Sequence, residues 1–396
     1  MRAILNCVMN SGKLIFSQVI ELIHPQQFHR CEQRHPMPRT SKSFSAWDQF
    51  LCMAFAQMTF RESLRDVEGC LRYRPQLYAM GIRGKVTRTN LAYANENRDW
   101  QVYCDLAKGL IKRARRLYAS DTGELNIDEM VYALDATTID LCLGLFPWAR
   151  FRRTKSAVKL HTLIDIQGSI PVFISITEGN VHDVHALDSI AFEAGSIYVM
   201  DRGYVDYARL RRIGEAGAFC VIRAKSNMRF YVIESRPVER SSGLRCDQTI
   251  RLNTSKGKRE YPDRLRRIRY VDPETGNSLV FITNNFSLSA MTVAQIYKCR
   301  WRIELFFKWI KQNLRIKAFF GTSENAVKTQ IWIAICVYLM VAILKKSYRL
   351  PQEMSQVLQV LSVSVFLKEP FNEQFMNLST REEEGSVANQ LEFNGF

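Results

Sequence analysis

The sequence predicts a mixed α/β protein with an all-helical leader, and three observations predict it. Over residues 1–125 apolar side chains recur at the 3.6-residue period of a helix. From residue 130 they gather into short runs of strand length and strand composition. Beyond residue 290 the helical period returns. The chain has 396 residues, 47% of them hydrophobic, which allows two or three domains with their own cores and excludes a disordered chain.

In the leader, "SAWDQFLCMAFAQMTF", "FRESLRDVEGCL" and "LAYANENRDWQVYCDLAKGLIKRARRLYAS" all carry helical apolar spacing. Gly81 and Gly84 interrupt it. "GIRGKVTRTNLAYANENR" reads as a turn, a Thr87 or Thr89 N-cap and a helix carrying Arg88, Asn90, Asn95 and Arg98, an arrangement suited to reading a DNA groove. A helical domain with ordinary basic surfaces has the same pattern.

Three strands follow: "MVYALDATTIDLCL", then "SAVKLHTLIDIQG" and "SIPVFISITEG", the last two a hairpin about a Gly168-Ser169 turn. Helical patterns at "VHALDSIAFEAG" and "VDYARLRRIGEAG" alternate with two more short apolar runs, "SIYVMD" and "AFCVIRAK". The order predicts an antiparallel meander of three strands, with a crossover returning the fourth parallel to the first. Two of these strands end in acids, Asp135 after "VYAL" and Asp201 after "IYVM". A structural aspartate capping the next turn explains either alone. As parallel neighbours they would meet at one sheet edge, where like charges are tolerated when a cation bridges them or a proton is shared.

Residues 227–290 are too long for an ordinary loop and mix basic stretches with strand-like pieces, so they read as an inserted β-rich subdomain. "IWIAICVYLMVAIL", residues 331–344, is short for a bilayer span and ends in two lysines, so it reads as a buried core helix with no membrane implied. The domains expected are 1–125 helical and DNA-binding, 126–226 with 291–350 a catalytic core, 227–290 the insertion, and 351–396 a helical segment with a loose polar tail.

The net charge is +16 and is uneven. Residues 1–120 carry 19 lysines and arginines against nine acids, and residues 221–270 carry 14 against five, so the remainder is slightly acidic. Two basic regions point to a polyanion, nucleic acid above all. The ten cysteines include no C-x-x-C pair, which argues against a zinc ribbon or a secreted disulfide framework and for reduced cytosolic thiols. Cys31 and His35 form half a metal pair with no second half. The first residues lack the cleavage pattern of a signal peptide.

The stretch "YKCRWRIELFFKWIKQNLRIK", residues 297–317, reads as one helix on which Tyr297, Arg300, Glu304 and Lys311 share a stripe about 60° wide, with Ile303, Leu305, Phe306, Trp309 and Ile310 packing on the opposite arc. A solvated charged face has the same spacing.

Taken together, "ALDATTIDL" around Asp135, "MDRGYVDY" around Asp201 and the Y-x2-R-x3-E-x6-K spacing of Tyr297, Arg300, Glu304 and Lys311 resemble the DDE transposases of bacterial insertion sequences, the cut-and-paste IS-four family. The likeness covers residues 130 to about 320, and the segment around residues 28–66 also resembles the helical leader of one branch. It implies a ribonuclease-H-like core interrupted by the insertion, with Asp135, Asp201 and Glu304 as catalytic metal ligands. Two Mg²⁺ about 4 Å apart, with Mn²⁺ able to substitute, would stabilise the attacking and leaving oxygens. Tyr297, Arg300 and Lys311 would face DNA phosphates, and Arg264, Arg266 and Arg267 of the insertion would add contacts, as Arg88 and Asn90 would in the leader. The insertion contains no tryptophan, so Trp301 becomes the candidate stacking partner for a flipped base. The implied partners are double-stranded DNA, both element ends and target, and a second copy of the chain in the DNA complex; the implied place is the bacterial cytoplasm. The competing readings are a silent DNA-binding repressor and a structure-selective nuclease.

Overall fold

The computed structural model describes residues 12–35, 43–72, 74–119, 127–313 and 319–375. The expected loose tail therefore lies mostly outside the described residues. The chain divides into two compact units, residues 118–308 and the remainder on either side.

The helical unit contains the helices Ile15–Ile20, Pro25–Arg34, Ala46–Met58, Leu64–Leu71, Arg88–Asn97 and Gln101–Tyr118, then Glu324–Tyr348 and Met354–Ser364. Local chemistry sets their starts. Ser45 and Asp48 form a capping box: the Ser45 hydroxyl accepts from the Asp48 amide at 3.0 Å, and Asp48 accepts from the Ser45 amide at 2.8 Å. Phe28, Trp47, Phe50 and Tyr103 build an aromatic cluster with neighbouring ring centroids 4.8–6.3 Å apart.

Residues 331–344 form a core helix as expected, inside a longer one. Glu324–Tyr348 is long and apolar enough to cross a bilayer, yet its residues from Ala326 to Leu344 are buried except Lys328. By its packing this helix groups with the N-terminal helices. The unit completes its core with it.

The second unit is a ten-stranded sheet: β1 Val131–Leu141, β2 Arg150–Arg152, β3 Lys155–Asp165, β4 Ile170–Glu178, β5 Ile197–Met200, β6 Phe219–Arg223, β7 Phe230–Arg236, β8 Leu244–Leu252, β9 Leu265–Val271 and β10 Ser278–Thr283. The order is β2-β3-β1-β5-β6-β10-β9-β8-β7, with β4 also on β3. The meander β1-β3-β4 is antiparallel, and β5 and β6 run parallel to β1. This is the predicted topology.

Two details differ from the sequence reading. The crossover into β5 is a 3₁₀ segment, Asp183–Ser189, with an irregular stretch after it, where a helix was expected over 184–195. Tertiary bonds hold the stretch instead: the Glu193 amide, which a helix would use, donates to the Tyr198 hydroxyl at 2.8 Å, and the Tyr132 hydroxyl donates to the Glu193 carboxylate at 2.6 Å. The inserted strands also form no separate sheet. β10 pairs antiparallel with β6, so β7–β10 extend the same sheet.

Candidate active site

Register puts the two strand-end acids side by side. Leu134 of β1 pairs with Met200, the last residue of parallel β5, so Asp135 and Asp201 follow at the same level on neighbouring strands. Asp201 ends its strand by capping the 3₁₀ turn Arg202–Tyr204, accepting from the Gly203 amide at 2.7 Å. A Cβ at position 203 would stand 2.9 Å from that carboxylate oxygen, which explains a glycine there.

Glu304 arrives from a different element. The single helix expected over 297–317 is two, Ala290–Lys298 and Trp301–Asn313, separated by a turn at Cys299 and Arg300; residues 314–318 lie outside the described residues. The break turns Arg300 toward the sheet. Its Nη1 donates to Asp135 Oδ2 at 2.8 Å and its Nη2 to Glu304 Oε1 at 2.5 Å. Arg300 thus ties the acid of the helix to the acid of β1.

Burial pushes the Asp135 carboxyl up to about 6; the Ala136 amide and Arg300 oppose the shift, and the charges of Asp201 and Glu304 add to it. Arg300, 2.8 Å away, pulls the carboxyl down while burial and the neighbouring carboxylates push it up. Among the described residues no three carboxylate, imidazole or thiol groups stand close enough to hold one metal ion. The chemistry of the donor set nonetheless suits a hard divalent cation, because all three groups are carboxylates. Crowded negative charge on Asp135 is what such a cation relieves.

The remaining stripe residues differ in exposure. Tyr297 is buried and packs on Phe281, ring centroids 4.6 Å apart, with the Arg300 guanidinium 5.8 Å over its own ring. Lys311 lies two turns beyond Glu304 on the Trp301–Asn313 helix and is half-buried. Trp301 is exposed on that helix, and so is Leu305, which was expected to pack; Ile303, Phe306 and Ile310 are buried as expected.

In the insertion only Arg264 of the expected trio is fully exposed. Arg266 is buried, donates to both Asp247 oxygens at 2.8 and 2.7 Å and reaches the Leu288 carbonyl. It is a structural arginine. Arg267 donates to Gln248 at 2.8 Å and lies over the Phe230 ring. In the leader, Arg88 is exposed, while the Asn90 side chain donates to the Lys85 carbonyl. Asn95 and Arg98, expected on a groove-reading face, are buried; Asn95 accepts from Gln49, and Arg98 donates to the carbonyls of Phe44 and Ser45.

Four further polar side chains that the sequence did not single out lie on the elements around the carboxylates: Tyr204, Lys159, Asp183 and His161. Tyr204 is buried with its hydroxyl unpartnered among the described residues, and burial, with the charges of Asp135, Asp183 and Asp201, pushes its pKa far up. Lys159 on β3 pairs with Asp183 at 3.0 Å. His161, which pairs with Ala136 in register, is buried, and its pKa is pushed down to about 4 by burial. Tyr204 carried a signal, since it falls inside "MDRGYVDY"; the other three had none.

Comparison with known proteins bears on the whole arrangement. The family model described as a transposase DDE domain matches residues 127–340, and one described as a domain of unknown function, DUF4372, matches residues 11–83. A putative transposase of Sinorhizobium fredii is 36% identical over 225 residues, 56% of this chain and 62% of its own. A probable transposase for insertion sequence element IS5377 of Geobacillus stearothermophilus is 31% identical, over 54% of this chain and 57% of its own. A putative transposase for an IS4-type element, IS4SA, of Synechocystis is 26% identical, over 68% of this chain and 76% of its own. The chain therefore spans about 60% of the length of the first two. Among solved structures, a piggyBac transposase synaptic complex with hairpin DNA overlaps 96% of this chain and 84% of its own at 9% identity, with a TM-score of 0.43.

Proposed function

The chain belongs to the family of transposases with a DDE domain, and from that premise we propose that it is the transposase of a bacterial insertion sequence, hydrolysing the phosphodiester at each element end and joining the freed 3′-OH to target DNA. The observation that carries this reading is the pairing of Leu134 with Met200, which sets Asp135 and Asp201 level on parallel strands, with Arg300 linking Asp135 to Glu304. The strand order β4-β3-β1-β5-β6 supports a ribonuclease-H-like core over residues 126–226.

Asp135, Asp201 and Glu304 would hold the divalent ions, two Mg²⁺ or Mn²⁺, which when bound activate the attacking water and stabilise the leaving oxygen. The chain's own residues supply the rest. Arg300, whose Nη1 and Nη2 hold Asp135 and Glu304, would transfer its donors to a phosphate once the carboxylates bind cations. The unpartnered Tyr204 hydroxyl would fix the carboxylate of Asp135 or Asp201. Lys311 would hold a phosphate further along the strand, and exposed Trp301 offers a ring for a base drawn out of the stack. Double-stranded DNA is the partner, and two copies of the chain would bring two ends together.

A duplex bearing the element's ends tests the reading. With Mg²⁺ or Mn²⁺ the protein nicks and joins it, and Asp135→Ala, Asp201→Ala and Glu304→Ala each abolish cleavage while duplex binding persists. Cleavage surviving all three changes would sink the assignment. A nuclease selective for branched structure would cut without regard to end sequence.

A further inference from the structure

We propose that the groove between the Pro25–Arg34 and Gln101–Tyr118 helices is a second nucleic-acid site, a cradle for the phosphate backbone of duplex DNA in the helical unit; the proposal rests on the transposase reading and names a contact surface for it. Two adjoining cavities, about 650 and 250 Å³, share Gln27, Arg30, Gly109 and Lys112 in their walls. Helical geometry explains the rows. Arg30 and Arg34 stand one turn apart on one wall; Lys108, Lys112 and Arg116 stand one turn apart on the other, spanning about 12 Å. Arg113 lines the larger cavity beside them.

Gly109 lies in the floor of the groove. A Cβ there would come within 2.1 Å of the Gln27 amide nitrogen, so a side chain would have to push Gln27 aside. Glycine inside a helix costs about 0.5–1 kcal/mol against alanine, and an open groove floor is a reason for that cost.

Charge pairing separates this surface from an ordinary solvated face. Asp105 is the one carboxylate in the cavity walls, and its charge is already held by Lys108 at 2.9 Å, His35 at 3.0 Å and Arg34 at 3.5 Å. Among the described residues Arg30, Lys112, Arg113 and Arg116 have no carboxylate within 4 Å. Four unneutralised cations in a concave surface attract a polyanion and release its counterions on contact. None of the exposed large hydrophobic side chains lies on either helix, so the groove offers nothing for insertion into a lipid surface.

The test uses the full chain, a random-sequence duplex and a salt titration of binding. Lys112→Gln should lower the slope of log K against log salt by about 0.9, and the triple change Arg30→Gln, Lys112→Gln, Arg116→Gln by about 2.7. Arg349→Gln with Lys368→Gln, both exposed, should leave the slope unchanged. A wild-type protein that binds duplex with a slope the triple change does not alter overturns the groove and leaves the transposase reading standing. A wild-type protein with no duplex affinity overturns both. Loss of binding to phosphatidylserine vesicles, with duplex binding intact, overturns DNA as the occupant.

Discussion

The two basic regions of the chain look alike in composition, and in each the fold separates arginines held inside it, Arg98 in the leader and Arg266 in the insertion, from cations left open. In residues 221–270 three arginines are committed internally: Arg266 clamps Asp247, Arg236 reaches Asp247 and Thr249, and Arg267 holds Gln248, while Arg229, Arg240, Arg245, Arg264 and Arg269 stand exposed. In the helical unit Arg30, Lys112 and Arg116 stand exposed with no acid beside them. Net charge counts both kinds equally. What distinguishes a ligand-seeking cation from a structural one is whether the fold has already given it an anion.

Breaking that distinction gives a graded series. The largest effect belongs to Arg266→Ala, which strands a buried Asp247 and should cost about 3–5 kcal/mol in chemical denaturation. A loss below 1 kcal/mol would return Arg266 to the set of surface cations.

His161 shows a third use of a basic group, kept uncharged. Its pKa is depressed from 6.5 to about 4, so the unfolded chain binds the proton first. Stability should be complete above pH 6.5 and fall as pH drops through 6.5 toward 4, by up to about 3 kcal/mol. His161→Gln should flatten that segment of the stability curve, and an unchanged curve would show that other groups govern it.

Smaller is Ser45→Ala, which removes the capping box and should cost about 1 kcal/mol by thermal melting. Smallest in stability is Arg264→Gln, within about 0.5 kcal/mol of wild type. If Arg264 meets a phosphate, the salt slope of duplex binding should still fall by about 0.9. A change in stability without a change in slope would reverse the contrast between held and open cations.

Part of this was legible in the sequence. Apolar runs ending in an acid, "VYALD" and "IYVMD", marked Asp135 and Asp201, and the order of runs predicted a meander with the fourth strand parallel to the first; that the two strands are direct neighbours came from the fold. The break at Cys299 and Arg300 was not legible. No glycine or proline marks it; it is tied to distant partners, Phe281 against Tyr297 and Asp135 against Arg300. The burial of Arg266 was equally hidden, since its partner Asp247 lies on another strand and local pattern cannot pair them. The apolar run 331–344 specified burial without specifying which unit it completes.

The unbroken pairing of β6 with β10 makes the sheet a ruler. From β1, which bears Asp135, to β9, which Arg264 immediately precedes, there are four strand steps of about 4.8 Å, and the registers set Arg264 four residues, about 13 Å, back along the strands from the level of Asp135, roughly 23 Å in all. Hydrogen-bond spacing sets that span, and the length of the connecting loops does not enter it. Measured along a duplex at about 3.4 Å per base pair, it corresponds to roughly seven base pairs. A duplex gripped at Arg264 and cut beside Asp135 would have its cleavage point metered by the number of intervening strands, and shortening a surface loop would leave that distance as it was.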